Sequence, residues 1–179
     1  MQLAPSKKVS AVVLAVTLAV ISSSQAFQSA DAKSRKGKQY STQSDVAGCT
    51  SSCDDLKTLN SALKKTGLDR VLRGKGPYTL FAPSDAAFAK IPKAERDALF
   101  NDSKRLPIVL KYHVVPQKYM ASDLATRSSV KTVQGESLML GNKGGTQVVD
   151  GAIVTKADSD CRNGVVHIID TVLIPERGK

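Results

Sequence analysis

Cysteines are the residues of this chain best suited to covalent chemistry. The chain has three, with Cys49 and Cys53 close together and Cys161 far along the sequence. Disulfides form in exported proteins, and an odd number of cysteines leaves one over. We predict a disulfide from Cys161 to Cys49 or Cys53, which would tie the amino end of the domain to its carboxyl-terminal part. A local pair of Cys49 with Cys53 is the alternative.

The same cysteines and one histidine also have the ligand types of a zinc site. However, Cys49 and Cys53 lack the C-x-x-C spacing that is usual in structural zinc sites. Three further acids, Asp158, Asp160 and Asp170, lack the dense oxygen-ligand spacing of a calcium-binding loop. We therefore predict no metal and no cofactor.

Residues that could serve as a general base or a nucleophile are few. The two histidines, His113 and His167, lie in hydrophobic, strand-like surroundings, which favours structural hydrogen bonds over acid–base catalysis. Ser84 has the sequence context of a helix cap, and no base follows it closely enough to activate it. The sequence therefore predicts a protein that is not an enzyme.

One modification motif occurs at an expected helix boundary. Asn101-Asp102-Ser103 is an N-glycosylation sequon, which makes Asn101 a candidate site if the source organism glycosylates its secreted proteins. Such triplets are common by chance, and this favours an unmodified asparagine.

The element that must position most of these groups lies near the carboxyl end. Asn163-Gly164 is a turn dipeptide because both residues tolerate positive φ. A run of mostly β-branched residues follows, from Val165 to Ile174, and Pro175 closes it. Both faces of this strand are apolar, so we predict an interior strand covered on both sides. Its polar members, His167 and Asp170, must then find partners or lie near an end.

Two earlier segments accompany this strand. Tyr78–Ala82 predicts a strand that stops at Pro83, after which Ser84 caps a helix; Leu110-Lys111-Tyr112-His113-Val114-Val115-Pro116 follows later. The three segments together resemble the fasciclin domain, with its TLFAPSDAAF-like box, its YHVV segment and its closing NGVVHIID-VL-P box. The resemblance covers roughly Asp45 to Pro175. It implies the fasciclin fold, a twisted β sandwich or wedge flanked by helices.

The remaining patterns agree with an α+β fold, because helices come first and strands follow. Leu56, Leu59 and Leu63 share one helical face. The other predicted helices are Leu68–Leu72, Pro92–Phe100 and Ser103–Lys111, the last with Pro107 in its first turn. From Val114 onward we expect short strands at Val130–Val133, Ser137–Leu140, Gln147–Val149 and Ala152–Thr155.

The amino-terminal region has the features of an export signal. Lys7 and Lys8 precede an apolar run, and Ser24-Gln25-Ala26 supplies the small residues of a cleavage site. We predict a signal peptide over residues 1–26, a disordered basic arm over 27–44 and a single fasciclin domain over 45–179. Export implies a secreted, extracellular or periplasmic protein. An uncleaved membrane anchor and a plastid leader of an alga are the alternatives.

Charge excludes one class of partner. The chain carries a net charge of +10, of which the signal peptide holds +2 and the arm +3, so the domain keeps +5, with its basic residues scattered. Nucleic-acid binding favours a basic stripe with stacking aromatics, and this chain has no tryptophan and few other aromatic residues. We therefore expect no nucleic acid, while loose attraction to anionic polysaccharide or the cell envelope is compatible with the charge.

The resemblance implies an adhesion or binding module that contacts extracellular or cell-surface proteins or polysaccharides. We expect a monomer, although the sequence does not determine the oligomeric state. In animal matrix relatives, fasciclin domains engage integrins through a Tyr-His segment and an Asp-Ile pair. Tyr112 and His113 match the first and Asp158 matches the acid, but Ser159 replaces the isoleucine. Some secreted relatives also carry a disulfide comparable to the one predicted here. The alternatives are a structural envelope component, a stress-related enzyme or metal-binding protein, and a plastid-targeted fasciclin-like protein.

Overall fold

The computed structural model describes residues 44–175, and the first half of this range is mainly helical. Its helices are α1 (Val46–Ser51), α2 (Lys57–Thr66), α3 (Leu68–Leu72), α4 (Asp85–Ala89), α5 (Lys93–Asn101) and α6 (Arg105–Tyr112), with a 3-10 turn at Asp54–Leu56. The predicted apolar face of the first long helix is confirmed, since Leu59 and Leu63 are buried on α2. Pro107 lies in the first turn of α6, where its missing N–H costs nothing. The predicted signal peptide and nearly all of the predicted arm lie outside the described residues.

Two short helices were not predicted from the sequence. One is α1, and the other is α7 (Ala121–Ala125), which lies where we expected only strands. Both are shorter than the window over which helical periodicity becomes visible, and isolated helices of this length are unstable in water. Contacts with the rest of the fold therefore stabilise them. Along the described chain, no helix is long and apolar enough to cross a membrane.

The strands form a single mixed sheet. They are β1 (Tyr78–Pro83), β2 (Val114–Val115), β3 (Ser129–Lys131), β4 (Ser137–Lys143), β5 (Thr146–Val149), β6 (Ala152–Cys161) and β7 (Gly164–Ile169), in the order β2-β1-β7-β6-β5-β4-β3. β7 runs parallel to β1 and antiparallel to β6. The Val133 amide donates to the Val114 carbonyl (2.7 Å), which brings the two ends of the sheet together. The sheet thus wraps almost into a barrel.

Alternate residues of β7 face two different cores. Val166 and Ile168 pack with the helices, whereas Ile169 packs with a second cluster that contains Phe81 and Leu138. All six residues of β7 are buried. The prediction of an interior strand covered on both sides is confirmed, and so is the α+β class.

The carboxyl end of β7 differs from the prediction. The strand ends at Ile169, five residues before Ile174. Asp170 lies at this end, where its carboxylate accepts a hydrogen bond from the Ile153 amide (2.8 Å) and its own amide donates to the Ile153 carbonyl (3.0 Å). Leu173 stays buried, but its amide donates to a histidine ring instead of a neighbouring strand. Hydrogen bonds from side chains thus take the place of strand pairing after Ile169. The β propensity of the sequence gives no sign of this change.

The turn before β7 also has a different cause from the one expected. Arg162 and Asn163 form the turn between β6 and β7, but neither Asn163 nor Gly164 has positive φ. Glycine is required at 164 for another reason, because a Cβ there would overlap the Tyr78 carbonyl of the neighbouring parallel strand. Glycine thus allows β1 and β7 to approach each other closely.

Candidate functional site

The two residues of the Tyr-His segment lie inside the protein. Tyr112 is 5% exposed and His113 is 1% exposed. The Tyr112 hydroxyl donates to the Asp150 carboxylate (3.1 Å), at the tight turn between β5 and β6. Their apolar neighbours bury both side chains, so the expected placement on the surface is corrected, and their role in binding stays a prediction. An effect of either residue on binding would have to act through the fold.

His113 links three segments of the chain through its ring and its backbone. Nδ1 donates to the Val109 carbonyl in α6 (2.7 Å), and Nε2 accepts from the Leu173 amide (3.1 Å). The His113 carbonyl accepts from the Phe81 amide (2.9 Å). Burial lowers the pKa of His113 to about 4, although the hydrogen bond to Val109 raises it. His113 is thus neutral at physiological pH and holds the segment after β7 against α6.

The second histidine connects two segments that reach the surface. His167 is fully buried on β7, where its ring stacks on Phe81. Nδ1 accepts from the Asp158 amide (3.2 Å), so Nε2 carries the hydrogen and donates to the Tyr119 carbonyl (2.9 Å). Burial lowers the pKa of His167, while the bond to Tyr119 and the charge of Asp158 raise it. A neutral ring therefore fixes the spacing between the two exposed segments.

Asp158 lies where β6 bulges away from β7. The pairing between these strands shifts between Val154 and Lys156 and again between Lys156 and Ser159. Asp158 has φ of 56°, in the left-handed region that few non-glycine residues adopt. Its exposed carboxylate accepts from the Ala121 amide at the start of α7 (2.7 Å). The bulge thus turns Asp158 outward and holds it there at both its amide and its carboxylate.

Charged and aromatic side chains surround Asp158. Lys118 pairs with Asp160 (2.6 Å), and the Arg127 guanidinium lies over the Tyr119 ring, 4.7 Å from its centre. We call Lys118, Tyr119, Arg127, Asp158 and Asp160 the bulge surface. Both charge signs and one half-buried aromatic ring are present there, a composition suited to protein contacts.

Comparison with known proteins decides the family. The fasciclin domain model matches residues 54–175, well over half of the chain. This chain belongs to the fasciclin domain family.

Fasciclin-domain relatives occur in animals and bacteria. Transforming growth factor-beta-induced protein ig-h3 of Sus scrofa is 36% identical over 127 residues, which cover 70% of this chain and 19% of that protein. Protein sll1483 of Synechocystis sp. is 37% identical over 124 residues, which cover 68% of each chain. Immunogenic protein MPB70 of Mycobacterium bovis is 36% identical over 143 residues, which cover 76% of this chain and 72% of that protein. The chain therefore spans about a fifth of ig-h3 and most of the two bacterial proteins.

A solved structure shows the same fold. The FAS1 domain pair of the insect cell adhesion molecule Fasciclin I matches with a TM-score of 0.67 and 21% sequence identity. The match covers 75% of this chain and 52% of that chain. At this identity the likeness shows the fold alone.

A disulfide connects the amino-terminal helix of this fasciclin domain to its carboxyl-terminal strands. Cys49 on α1 is joined to Cys161 at the end of β6, with Cα atoms 6.5 Å apart. This is one of the pairings that the sequence left open, and half-buried Cys53 lies outside it. The zinc alternative would require the same two cysteines as thiolates. Among the described residues, no group of three or more histidines, cysteines and acids is placed to hold a metal ion.

Asn163 is the structural residue that the sequence analysis missed. Its Oδ1 accepts from the Val46 amide (2.8 Å), while Nδ2 donates to the carbonyls of Leu72 (2.7 Å) and Gly74 (2.6 Å). One side chain thus joins α1, the end of α3 and the turn before β7. The sequence signal of this residue is the Asn-Gly pair, which by itself indicates only local turn geometry.

The other candidate residues have ordinary structural surroundings. Ser84 accepts from the Ala87 amide (3.2 Å) and caps α4, as predicted. The Asp85 carboxylate accepts from the Thr58 amide (2.8 Å) and so holds the first turn of α2. Asn101 is exposed at the last position of α5, where a glycan would meet solvent. Its glycosylation stays a prediction.

Proposed function

We propose that this fasciclin-domain protein is exported and acts as an extracellular binding and adhesion module. Its leader has the order of charged, apolar and small residues typical of a signal peptide. The related insect protein is named a cell adhesion molecule. Sequencing the amino terminus of the secreted product tests export, since cleavage predicts a start near Phe27. An intact Met1 recovered in a membrane fraction would remove this part of the proposal.

The bulge surface is the binding surface that the geometry supports best. The observation that carries this proposal is the pair of hydrogen bonds by which buried His167 holds both the Asp158 amide and the Tyr119 carbonyl. Exposed groups held by a rigid interior lose little conformational freedom when a partner binds. A fixed surface of this kind favours recognition without an induced change of shape.

The chemistry of the bulge surface fits a protein partner. Tyr and Arg are enriched among the residues that dominate protein interfaces, and the Tyr119–Arg127 stack offers both. Asp158 and the Lys118–Asp160 pair add charges of both signs at the rim. Such rim charges determine orientation and association rate more than affinity.

A cell-adhesion assay tests this surface. Wells are coated with the mature protein, and the adherent cells of the source organism are counted. The double variant Arg127→Ala with Asp158→Asn removes the guanidinium and one negative charge, but retains an oxygen that can accept from the Ala121 amide. We expect an apparent affinity at least about tenfold weaker, mainly because loss of a central arginine such as Arg127 costs roughly 2 kcal/mol or more.

A matched control separates the bulge surface from the general effect of losing one exposed arginine and one exposed aspartate. Arg70→Ala with Asp97→Asn makes the same chemical changes at exposed positions on α3 and α5. This control should adhere like the wild type. Equal adhesion by all three proteins, at unchanged thermal stability, would exclude the bulge surface as the binding site.

A further inference from the structure

A second recognition feature lies on another part of the domain. A groove of about 240 Å³ runs between the end of α1 and the solvent-facing side of α2. The residues that line it and matter here are Ser51, Asp54, Lys57, Asn60, Ser61 and Lys64. None of them belongs to the bulge surface.

The lining from α2 follows from the helical period. Lys57, Ser61 and Lys64 are spaced at i, i+4 and i+7, so their side chains share one face. The opposite face carries buried Leu59 and Leu63, which fixes the orientation of the helix. The Cα atoms of the two lysines are therefore roughly 10 Å apart along the helix axis, and their long side chains can converge on one group between them.

The polar groups in the groove are mainly acceptors. The Ser51 hydroxyl donates to the Ala47 carbonyl (2.8 Å), and the Ser61 hydroxyl donates to the Lys57 carbonyl (3.0 Å). Asn60 Nδ2 donates to the Thr50 carbonyl (2.7 Å). Because each hydroxyl has already donated its one hydrogen, its oxygen can only accept from a ligand. The lining thus offers acceptors that suit ligand hydroxyl groups.

Charge adds a second requirement on the ligand. Within residues 44–175, the ammonium groups of Lys57 and Lys64 have no salt bridge, and they outnumber the one carboxylate of the lining, Asp54. Each ammonium group is a donor without acceptor capacity, so it favours an anionic oxygen. A suitable ligand therefore presents several hydroxyl groups beside a negative charge.

We propose that this groove binds a negatively charged sugar unit of an extracellular polysaccharide. A carboxylate or sulfate on the sugar would pair with Lys57 and Lys64, and sugar hydroxyls would donate to the oxygens of Ser51, Asn60 and Ser61. The groove is smaller than the 300–1,000 Å³ typical of sites for drug-sized ligands, so it takes one sugar of a longer chain. Avidity along the polymer would then raise the overall affinity. This site and ligand class go beyond the proposed adhesion through the bulge surface.

Isothermal titration of the mature protein with defined oligosaccharides tests the proposal. The probes are an oligogalacturonate, a heparin oligosaccharide, a neutral malto-oligosaccharide of equal length and inorganic phosphate. The first two distinguish carboxylate from sulfate, and binding of either supports the proposal. The neutral sugar and phosphate should each bind at least about tenfold more weakly, because each lacks one of the two required groups.

Variants locate the binding within the protein. Lys57→Gln with Lys64→Gln should weaken binding of the acidic sugar at least about tenfold, as loss of charged hydrogen bonds does. Ser61→Ala should weaken it roughly two- to tenfold without changing charge, which identifies recognition of sugar hydroxyls. The control Lys131→Gln with Lys143→Gln removes two exposed positive charges from β3 and β4.

The control decides between a site and general ionic attraction. We expect it to bind within about twofold of the wild type in moderate salt, where distant exposed charges are screened. An equal loss in control and groove variants would overturn the proposal. So would inorganic phosphate binding as tightly as the acidic sugar, or a Ser61→Ala variant that binds like the wild type.

Discussion

At the scale of single residues, two neutral histidines hold the interior of the domain together. His113 donates to a helix carbonyl and accepts from the Leu173 amide, and His167 joins the Asp158 and Tyr119 backbones in the same way. Each ring needs one nitrogen with a hydrogen and one without. Protonation adds a hydrogen to the accepting nitrogen and breaks that bond.

Folding stability should therefore fall as the pH decreases from about 6.5 to about 4. The pKa of His113 is about 4 in the folded protein, against about 6.5 in an unfolded chain. In this interval the unfolded chain binds a proton that the folded protein does not. The contribution is complete above pH 6.5 and amounts to roughly 3 kcal/mol, lost by about pH 4. Urea unfolding at a series of pH values measures it.

A histidine variant serves as the control for this pH dependence. His113→Gln removes the titrating group, so most of the slope between pH 6.5 and 4 should disappear, even if the variant is less stable throughout. His167, whose pKa burial also lowers, contributes to the slope that remains, as do carboxyl groups of lowered pKa such as Asp170 near the acidic end. An unchanged slope in His113→Gln would contradict the assignment.

Asn163 is expected to stabilise the fold more than its place in a turn suggests. Asn163→Ala removes three hydrogen bonds and leaves the Val46 amide and two carbonyls without this partner. Because unsatisfied buried groups are costly, we expect a loss of roughly 3 kcal/mol in the free energy of unfolding. Asn142→Ala is the control, since Asn142 is exposed and accepts a single hydrogen bond, from the Gly145 amide. Similar losses in both variants would contradict the linking role of Asn163.

At the scale of elements, β7 is the strand around which the sheet assembles. It pairs with β1 and β6 and contributes side chains to both cores. Ile169→Ala should therefore cost about 2–5 kcal/mol, as deletions from a packed core do. Ile153→Ala removes the same atoms from a side chain that is 40% exposed, and should cost much less. Chemical denaturation of both variants checks this, and a cost below about 0.5 kcal/mol for Ile169→Ala would mean that the strand is not interior.

The disulfide joins two elements that are far apart in sequence. Cys49 on α1 and Cys161 on β6 are separated by 112 residues. On the chain-entropy model a loop of this length contributes up to about 4.7 kcal/mol. Peptide mapping without reduction should recover the Cys49 and Cys161 peptides as one linked species. Alkylation of Cys161 in the folded, exported protein would refute the pairing.

Strands and helix ends that are determined by neighbouring residues could be predicted from the sequence. The β-branched run at Val165–Ile169 predicted an interior strand, and Ser84 before Asp85 predicted the cap of α4. In each case the deciding residues are neighbours in sequence. The same holds for Pro107, whose missing N–H suits the first turn of α6.

Features that depend on distant partners were not predictable in this way. Helix α1 is held by Asn163, more than a hundred residues later, and the end of β7 is set by bonds from Asp170 and His113. The sequence pattern indicates a candidate binding segment at Tyr112 and His113. It does not show that both side chains are buried. Periodicity shows which residue types alternate along the chain. It does not show which distant groups form hydrogen bonds with the backbone and the polar side chains.

At the scale of the whole molecule, one rigid interior supports two different exposed regions. The bulge surface lies over β6 and α7, and the proposed sugar groove lies between α1 and α2. The described domain carries charges of both signs across its surface, so specificity has to come from local geometry. The two proposals together predict a module that contacts a protein and a polysaccharide independently.

We propose that exposed residues of the bulge surface make the adhesive contact, while Tyr112 and His113 act only through the fold. The most direct test measures adhesion and folded fraction on the same preparations of Tyr112→Phe, His113→Ala and the Arg127→Ala with Asp158→Asn double variant. Tyr112→Phe removes only the hydroxyl that donates to Asp150.

We expect adhesion per folded molecule to be unchanged in the Tyr112 and His113 variants. Adhesion of the bulge-surface variant should fall at least about tenfold, with no loss of folded protein. A fully folded Tyr112→Phe or His113→Ala protein that fails to adhere, beside a bulge-surface variant that adheres normally, would exclude the bulge surface as the adhesive contact.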